Sequence, residues 1–273
     1  MNKTVDVIVA DPSGNKTILV LTPTDRNDYA DIAQKLLSLK ELEGEQVAYV
    51  LADTEESRLP AMEMCGLEFC GNASRSFALY KALYSEPPLD EIDVKVSGCS
   101  RPLHALIDRQ SGNVTMSMPV PDSFKYFTEK ELPLNKGGTL VNIDGISHLI
   151  LEDVPAMEDT FDGLRHFIYE TVAPDLPAFG VMFCDTVNGL MTPVVYVKDV
   201  DTTYFEGSCA SGTVAASFAL AVKSHENALQ YTMQQPGGVL ETMVTKKEGQ
   251  IEGILLQGPI TLSGINTVTL PEQ

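Results

Sequence analysis

Cys70-Gly71-Asn72-Ala73 and Cys209-Ala210-Ser211-Gly212-Thr213 are the two stretches whose reading decides this fold. In each, a thiol is followed by small residues that lead into a run with helical apolar spacing. Ala73, Phe77, Tyr80 and Tyr84 recur at steps of four, three and four, and Val214, Phe218 and Ala221 repeat the pattern after Cys209. A cysteine that opens a helix meets unpaired backbone N–H groups and the positive end of the macrodipole. Both lower a thiol pKa and make thiolate accessible near neutrality. One such cysteine suggests a nucleophile. Two, 139 positions apart in a chain of 273 residues, suggest a matched pair of proton carriers.

Outward from the cysteines the chain reads as strand-rich. Residues 5–10 and 18–22 form a hairpin around the turn cluster Asp11-Pro12-Ser13-Gly14-Asn15. Thr24 caps a helix carrying Tyr29, Ile32, Ala33, Leu36 and Leu37 on its apolar side. Strands are expected at 46–51, 92–96 and 114–118, and the helix after Cys70 stops before Pro87-Pro88. Pro119-Val120-Pro121-Asp122-Ser123 is the candidate domain boundary. Beyond it come strands at 140–143 and 147–151, a short helix at 162–171, strands at 181–185 and 194–197, and the second cysteine helix. Strands at 231–234, 239–245, 251–257 and 260–270 close the chain, with Pro236-Gly237-Gly238 as a turn. Each half therefore repeats one order of elements. Residues 76–80 and 213–222 carry no charge, so both helices are buried on most sides, as the core of a surrounding sheet. The tetrapeptide at 76–79 recurs at 217–220, although it begins six residues after one cysteine and eight after the other.

Composition narrows the function. A hydrophobic share of 44% with 7% aromatic residues is that of an ordinary globular chain, long enough for two domains. A formal charge of −19 argues against nucleic acid and anionic membrane partners. No apolar run approaches the ~20 residues of a membrane span, and the first residues lack the apolar core of a signal peptide. Five cysteines, an odd number, fit a reducing cytoplasm better than a disulfide framework. His104, His148, His166 and His225 are scattered, so no metal site is expected. There is no phosphate-binding glycine loop and no His-Glu-x-x-His. The expected chemistry uses side chains and backbone dipoles with no cofactor.

At this point the motifs meet a family. Glu68-Phe69-Cys70-Gly71-Asn72-Ala73 and Glu206-Gly207-Ser208-Cys209-Ala210-Ser211-Gly212-Thr213 resemble the paired cysteine motifs of the diaminopimelate epimerase superfamily. Pro12-Ser13-Gly14-Asn15, Lys95-Val96-Ser97-Gly98-Cys99-Ser100 and Gln235-Pro236-Gly237-Gly238 resemble further segments of it, in order, from about residue 5 to 270. Within that superfamily the likeness points to the histidine racemases of staphylopine-type metallophore biosynthesis. The resemblance implies an α+β fold of two pseudo-symmetric domains, each a curled β-sheet around a central helix, with the active site in the interdomain cleft. It implies domains 1–118 plus about 262–273, carrying Cys70, and 119–261, carrying Cys209. It also implies a possible homodimer.

The activity implied is a PLP-independent racemase or epimerase of a small amino-acid substrate, histidine being the first expectation. Cys70 and Cys209 would serve as thiolate and thiol on opposite sides of the α-carbon, a two-base form of general acid–base catalysis. Backbone N–H groups at Gly71, Asn72, Ser211 and Gly212 would receive the carboxylate and the developing carbanion. By the same resemblance Asn15 and Asn72 hydrogen-bond substrate, Glu206 holds the ammonium group, and Glu45 and Gln46 form another substrate-contacting pair. Diaminopimelate epimerases carry arginine where this chain has Gly207, which argues against diaminopimelate itself. Cys65, Cys99 and Cys184 read as small buried hydrophobes, and His148 as a satisfied structural histidine. Other readings are diaminopimelate epimerisation, racemisation of another amino acid, isomerisation of a substrate without an ammonium group, a thiol redox or binding protein with a Cys70–Cys209 pair, and a cysteine hydrolase.

Overall fold

The computed structural model describes residues 3–52, 59–143, 146–198 and 201–271. The chain divides into two compact units, 1–117 with 257–273 and 118–256.

In the first unit β1 (Thr4–Asp11) and β2 (Thr17–Val20) pair antiparallel, with Ile8 opposite Leu19. The helix α1 (Tyr29–Ser38) then crosses to β3 (Gln46–Val50), which runs parallel to β2, and β4 (Ala61–Met64) turns back against β3. Next comes α2 (Gly71–Leu83), then β5 (Glu91–Val96), parallel to β4. The strands β6 (Leu103–Asp108) and β7 (Asn113–Met118) complete this part as an antiparallel meander. Alternation places Val5 and Val7 of β1 in one core with Tyr29, Ile32, Ala33 and Leu36 of α1. Ile8 and Ala10, pointing the other way, are also buried, and α2 packs on β1 and β2. All four residues of β2 are buried, as expected of a strand covered on both faces.

The second unit repeats this order. After β8 (Ser123–Phe127), β9 (Gly138–Ile143) and β10 (Ile146–Glu152) form an antiparallel pair. The helix α3 (Glu158–Thr171) leads to β11 (Ala178–Asp185), parallel to β10, and β12 (Leu190–Val197) returns antiparallel. A short β13 (Thr202–Phe205) precedes α4 (Ala210–Lys223), after which β14 (Ala228–Gln235) touches β12 in parallel. The strands β15 (Gly238–Lys247) and β16 (Gln250–Pro259) follow. Phe161, Leu164 and Ile168 of α3 share a core with Leu149, Leu151, Phe179 and Val181, while α4 packs on β9, β10 and β11. The boundary between units falls within β16. Finally β17 (Thr261–Leu262) and β18 (Asn266–Thr269) pair with β1 in the first unit.

Several sequence expectations change. The helix at 29–38 is entered through a 3-10 turn at Arg26–Asp28 capped by Asp25, not by Thr24, whose hydroxyl donates to the Thr22 carbonyl. Leu37 is exposed rather than packed. The second amphipathic helix begins at Glu158, and the expected strand 260–270 is two short strands. The strand β4 escapes a reading by hydropathy because Glu63 lies in its middle. There the carboxylate is satisfied by Arg26 and by the Tyr29 hydroxyl at 3.1 Å, so a buried strand tolerates it. Among the described residues no helix is long and apolar enough to cross a membrane.

Candidate active site

Each cysteine is the N-cap of its central helix. Cys70 has φ −132° and ψ 110°, and its sulfur accepts from the Ala73 N–H at 3.5 Å. Cys209 has φ −129° and ψ 107°, and its sulfur accepts from the Gly212 N–H at 3.4 Å. In both helices a hydroxyl four residues on bonds back to the cysteine carbonyl, Ser74 Oγ at 2.7 Å and Thr213 Oγ1 at 2.6 Å. The true repeat is thus the +4 hydroxyl rather than the shared tetrapeptide.

Around Cys70 the first unit gathers three of the expected residues, Gln46, Asn15 and Asn72. The thiol donates to Gln46 Oε1 at 3.3 Å, and Gln46 Nε2 donates to Thr17 Oγ1 at 2.8 Å and to the Asn15 carbonyl at 3.4 Å. Asn15 sits at φ 62°, a left-handed conformation that asparagine tolerates in a turn. Asn72, in the first turn of α2, is buried and accepts from Arg75. Glu45 is brought to a different task. It is exposed, and its carboxylate accepts from the Lys16 N–H at 2.9 Å, bracing the turn that carries Asn15.

Around Cys209 the second unit gathers Glu206, Ser211 and Gly212. The Cys209 N–H donates to Gln235 Oε1 at 2.8 Å, and Gln235 Nε2 donates to Thr213 Oγ1 at 2.9 Å, closing a buried network around the cap. Gly212 lies close against the side chains of Met182 and Cys209. A Cβ there would fall 2.1 Å from Met182 Sδ and 3.2 Å from Cys209 Sγ. The expectation that the helix N-terminus lowers this thiol fails. Burial and then the Glu206 carboxylate push Cys209 well above the ordinary thiol range, outweighing the Ser211 and Gly212 donors that pull it down. Burial likewise raises Cys65, and it takes Cys184 up to about 12, so these two thiols are inert.

Both clusters are completed by Arg75, which sequence reading missed, and by Thr213, Gln235 and His148, which it quoted or weighed without giving them a part in the site. His148 on β10 is wholly buried, with Nε2 2.9 Å from Ser211 Oγ, which lies 3.6 Å from Cys209 Sγ. Its Nδ1 has no hydrogen-bond partner among the described residues. The neutral tautomer with the proton on Nε2 leaves no donor orphaned, and it lets the Ser211 hydroxyl point at sulfur. The sequence signal for this chain was present only as Ser211 within the motif.

Burial takes the His148 pKa from its ordinary 6.5 down to about 3. As pH falls from about 6.5 towards 3 the unfolded chain binds a proton that the folded chain refuses, so stability is lost at up to about 1.4 kcal/mol per pH unit. His148→Gln, which keeps a donor to Ser211, is expected to flatten that acid limb. Urea midpoints at pH 7 and pH 5 check this, and equal losses in the two proteins would defeat it.

The chain matches, over residues 4–268, the family model described as the histidine racemase CntK N-terminal domain. A histidine racemase of Fusobacterium nucleatum subsp. nucleatum is 32% identical over 270 residues, covering 91% of this chain and 93% of that protein. A histidine racemase of Staphylococcus aureus is 27% identical, covering 86% of each. Among solved structures, a probable proline racemase from Agrobacterium radiobacter K84 superposes with a TM-score of 0.63 at 14% identity, covering 98% of this chain and 93% of its own. A hydroxyproline epimerase from Agrobacterium vitis gives 0.62 at 12% identity, covering 100% and 95%. At such identities the likeness to these two structures is one of fold.

Proposed function

This chain belongs to the histidine racemase family, and we propose that it is a cofactor-independent isomerase that interconverts L- and D-histidine through two cysteines. The observation that carries the reading is the repeated cap. Two thiols, one in each unit, hold the same backbone geometry and the same N–H contact at the mouth of a charge-poor helix. Inversion at the α-carbon requires one base to remove a proton and one acid to return another to the opposite face. A thiolate and a thiol that exchange roles do both.

Supporting groups follow from the contacts. Gln46, Asn72 and Asn15 supply amides beside Cys70, and the N–H groups of the first turn of each helix, at Gly71, Asn72, Ser211 and Gly212, receive the carboxylate, the Gly212 N–H being shared with the Cys209 sulfur. Glu206 takes the ammonium group. That assignment has an electrostatic consequence for Cys209, because the Glu206 carboxylate helps to hold its proton. A substrate ammonium paired with Glu206 offsets the carboxylate's part of that upward shift, which comes after burial, and so eases ionisation of Cys209 when substrate is present. Glu45 acts through the turn it braces rather than on substrate. A reducing cytoplasm suits a reaction that needs both thiols free, and all five cysteines are free.

The test is incubation of the reduced protein with L-histidine in D₂O, followed by circular dichroism and by NMR of the α-proton. D-histidine bearing deuterium at Cα is the expected product, undiminished by a chelator or by hydroxylamine. Inert histidine beside turnover of another amino acid would overturn the substrate. Dependence on pyridoxal phosphate or metal would overturn the cofactor-free mechanism.

A further inference from the structure

Arg75 is the largest wholly buried side chain among the described residues. It sits on α2, five positions after Cys70. Its Nη1 donates to the Gly258 carbonyl at 2.9 Å, and Nη2 donates to the Pro12 carbonyl at 3.4 Å and to Asn72 Oδ1 at 3.3 Å. Nε has no partner among the described residues. Every acceptor is neutral. A buried guanidinium ordinarily has a carboxylate, because an uncompensated charge out of water is costly. Here there is none. Burial pulls Arg75 down to about 10, which leaves it cationic at neutral pH, and Cys70 is the titratable group whose negative charge acts back on it.

We propose that Arg75 is a positioning residue that sets the resting proton distribution: its charge holds Cys70 as the thiolate, while Cys209, beside Glu206, keeps the proton. The assignment rests on the two-cysteine reading above and gives it a direction. Charge interactions are mutual, so the thiolate that stabilises the guanidinium is stabilised by it. The same side chain holds the Asn72 amide and the Pro12 carbonyl, fixing the first turn of α2 against the turn that carries Asn15. Gln46 can follow the proton. Rotating its amide presents Nε2 to a thiolate, and the Thr17 hydroxyl then donates to Oε1.

The described ionisable groups next to Cys70 in sequence and on the segments of Asn15 and Gln46 are acidic or already paired. Cys65 and Glu68 precede it, and burial raises both. Lys16 is paired with Glu43 at 2.5 Å, and Asp11 and Glu45 are acidic.

The experiment measures iodoacetamide alkylation of each cysteine-bearing peptide by mass spectrometry across pH, in the intact protein. In the wild type, Cys70 is expected to titrate below an ordinary thiol's ~8.5 and well below Cys209. Arg75→Gln is expected to raise the Cys70 midpoint by about one unit or more, a roughly tenfold loss of thiolate at neutral pH, with Cys209 unmoved. Arg75→Lys keeps the charge and is expected to keep the midpoint. A wild-type Cys70 midpoint at or above that of Cys209 overturns the proposal without any variant, and so does an unchanged midpoint in folded Arg75→Gln. Histidine turnover is scored separately. Its absence beside a low Cys70 midpoint removes the reaction and leaves the charge assignment standing, and the converse result removes only the latter.

Discussion

Serine in place of either Cys70 or Cys209 is expected to reduce histidine racemisation by at least about a thousandfold, the scale of losing a general acid or base, while leaving the protein folded. The second half of that statement comes from the caps. Each sulfur accepts an N–H three residues on, at 3.5 Å for Cys70 and 3.4 Å for Cys209. A serine oxygen does this at least as well, since serine is a preferred N-cap residue. Unfolding midpoints should therefore stay within about 0.5 kcal/mol of the wild type. What is lost is an ionisable group in the right pH range. Each single variant keeps one thiol, so it should still exchange the α-proton of one enantiomer with D₂O without inverting it. The two variants should wash deuterium into opposite enantiomers. Full racemisation surviving in either one would end the two-thiol assignment, and its loss through unfolding would end the argument from the caps.

Gly98→Ala is expected to destabilise the protein by about 2–4 kcal/mol, combining left-handed strain with overpacking. Gly98 has φ +70°, and a Cβ there would stand 2.2 Å from the Phe69 nitrogen and 2.7 Å from the Glu68 carbonyl carbon. These are backbone atoms, which cannot swing aside as a side-chain end would. The neighbouring Ser97 hydroxyl accepts from the Met64 N–H at 2.9 Å and donates to the Glu68 carbonyl at 2.8 Å. The turn after β5 is thereby clamped to the segment that delivers Cys70. Shifting Phe69 shifts the cap, so turnover should fall together with stability, whereas the cysteine variants lose turnover alone. Urea denaturation measures the first effect, and a change under 0.5 kcal/mol would show that the clamp yields freely.

The sequence announced its fold through periodicity wherever one rule governed a segment. Spacings of three and four after each cysteine produced α2 and α4 with their cysteines at the caps, and alternation produced β5 and β7. It failed where a distant partner changed the meaning of a residue. Glu63 looks like a surface carboxylate until Arg26 and Tyr29 are seen around it. Arg75 lies just outside the charge-free stretch that marked the first helix as buried, and nothing local says that its guanidinium ends among carbonyls from residues 12 and 258. Thr24 and Asp25 both have capping side chains, and the choice between them fell to a single extra 3-10 turn.

What the chain alone determined was the pair: two thiols opening two small-residue helices, and with them the class of chemistry. Local hydrogen bonding and helix periodicity are written in neighbouring residues, so a linear reading finds them. Tertiary structure decided how the two thiols differ. Cys209 is buried beside Glu206, whereas Cys70 is partly open and shares its helix with a buried cation. Desolvation and charge depend on what every other segment brings to within a few ångströms, and that is a property of packing.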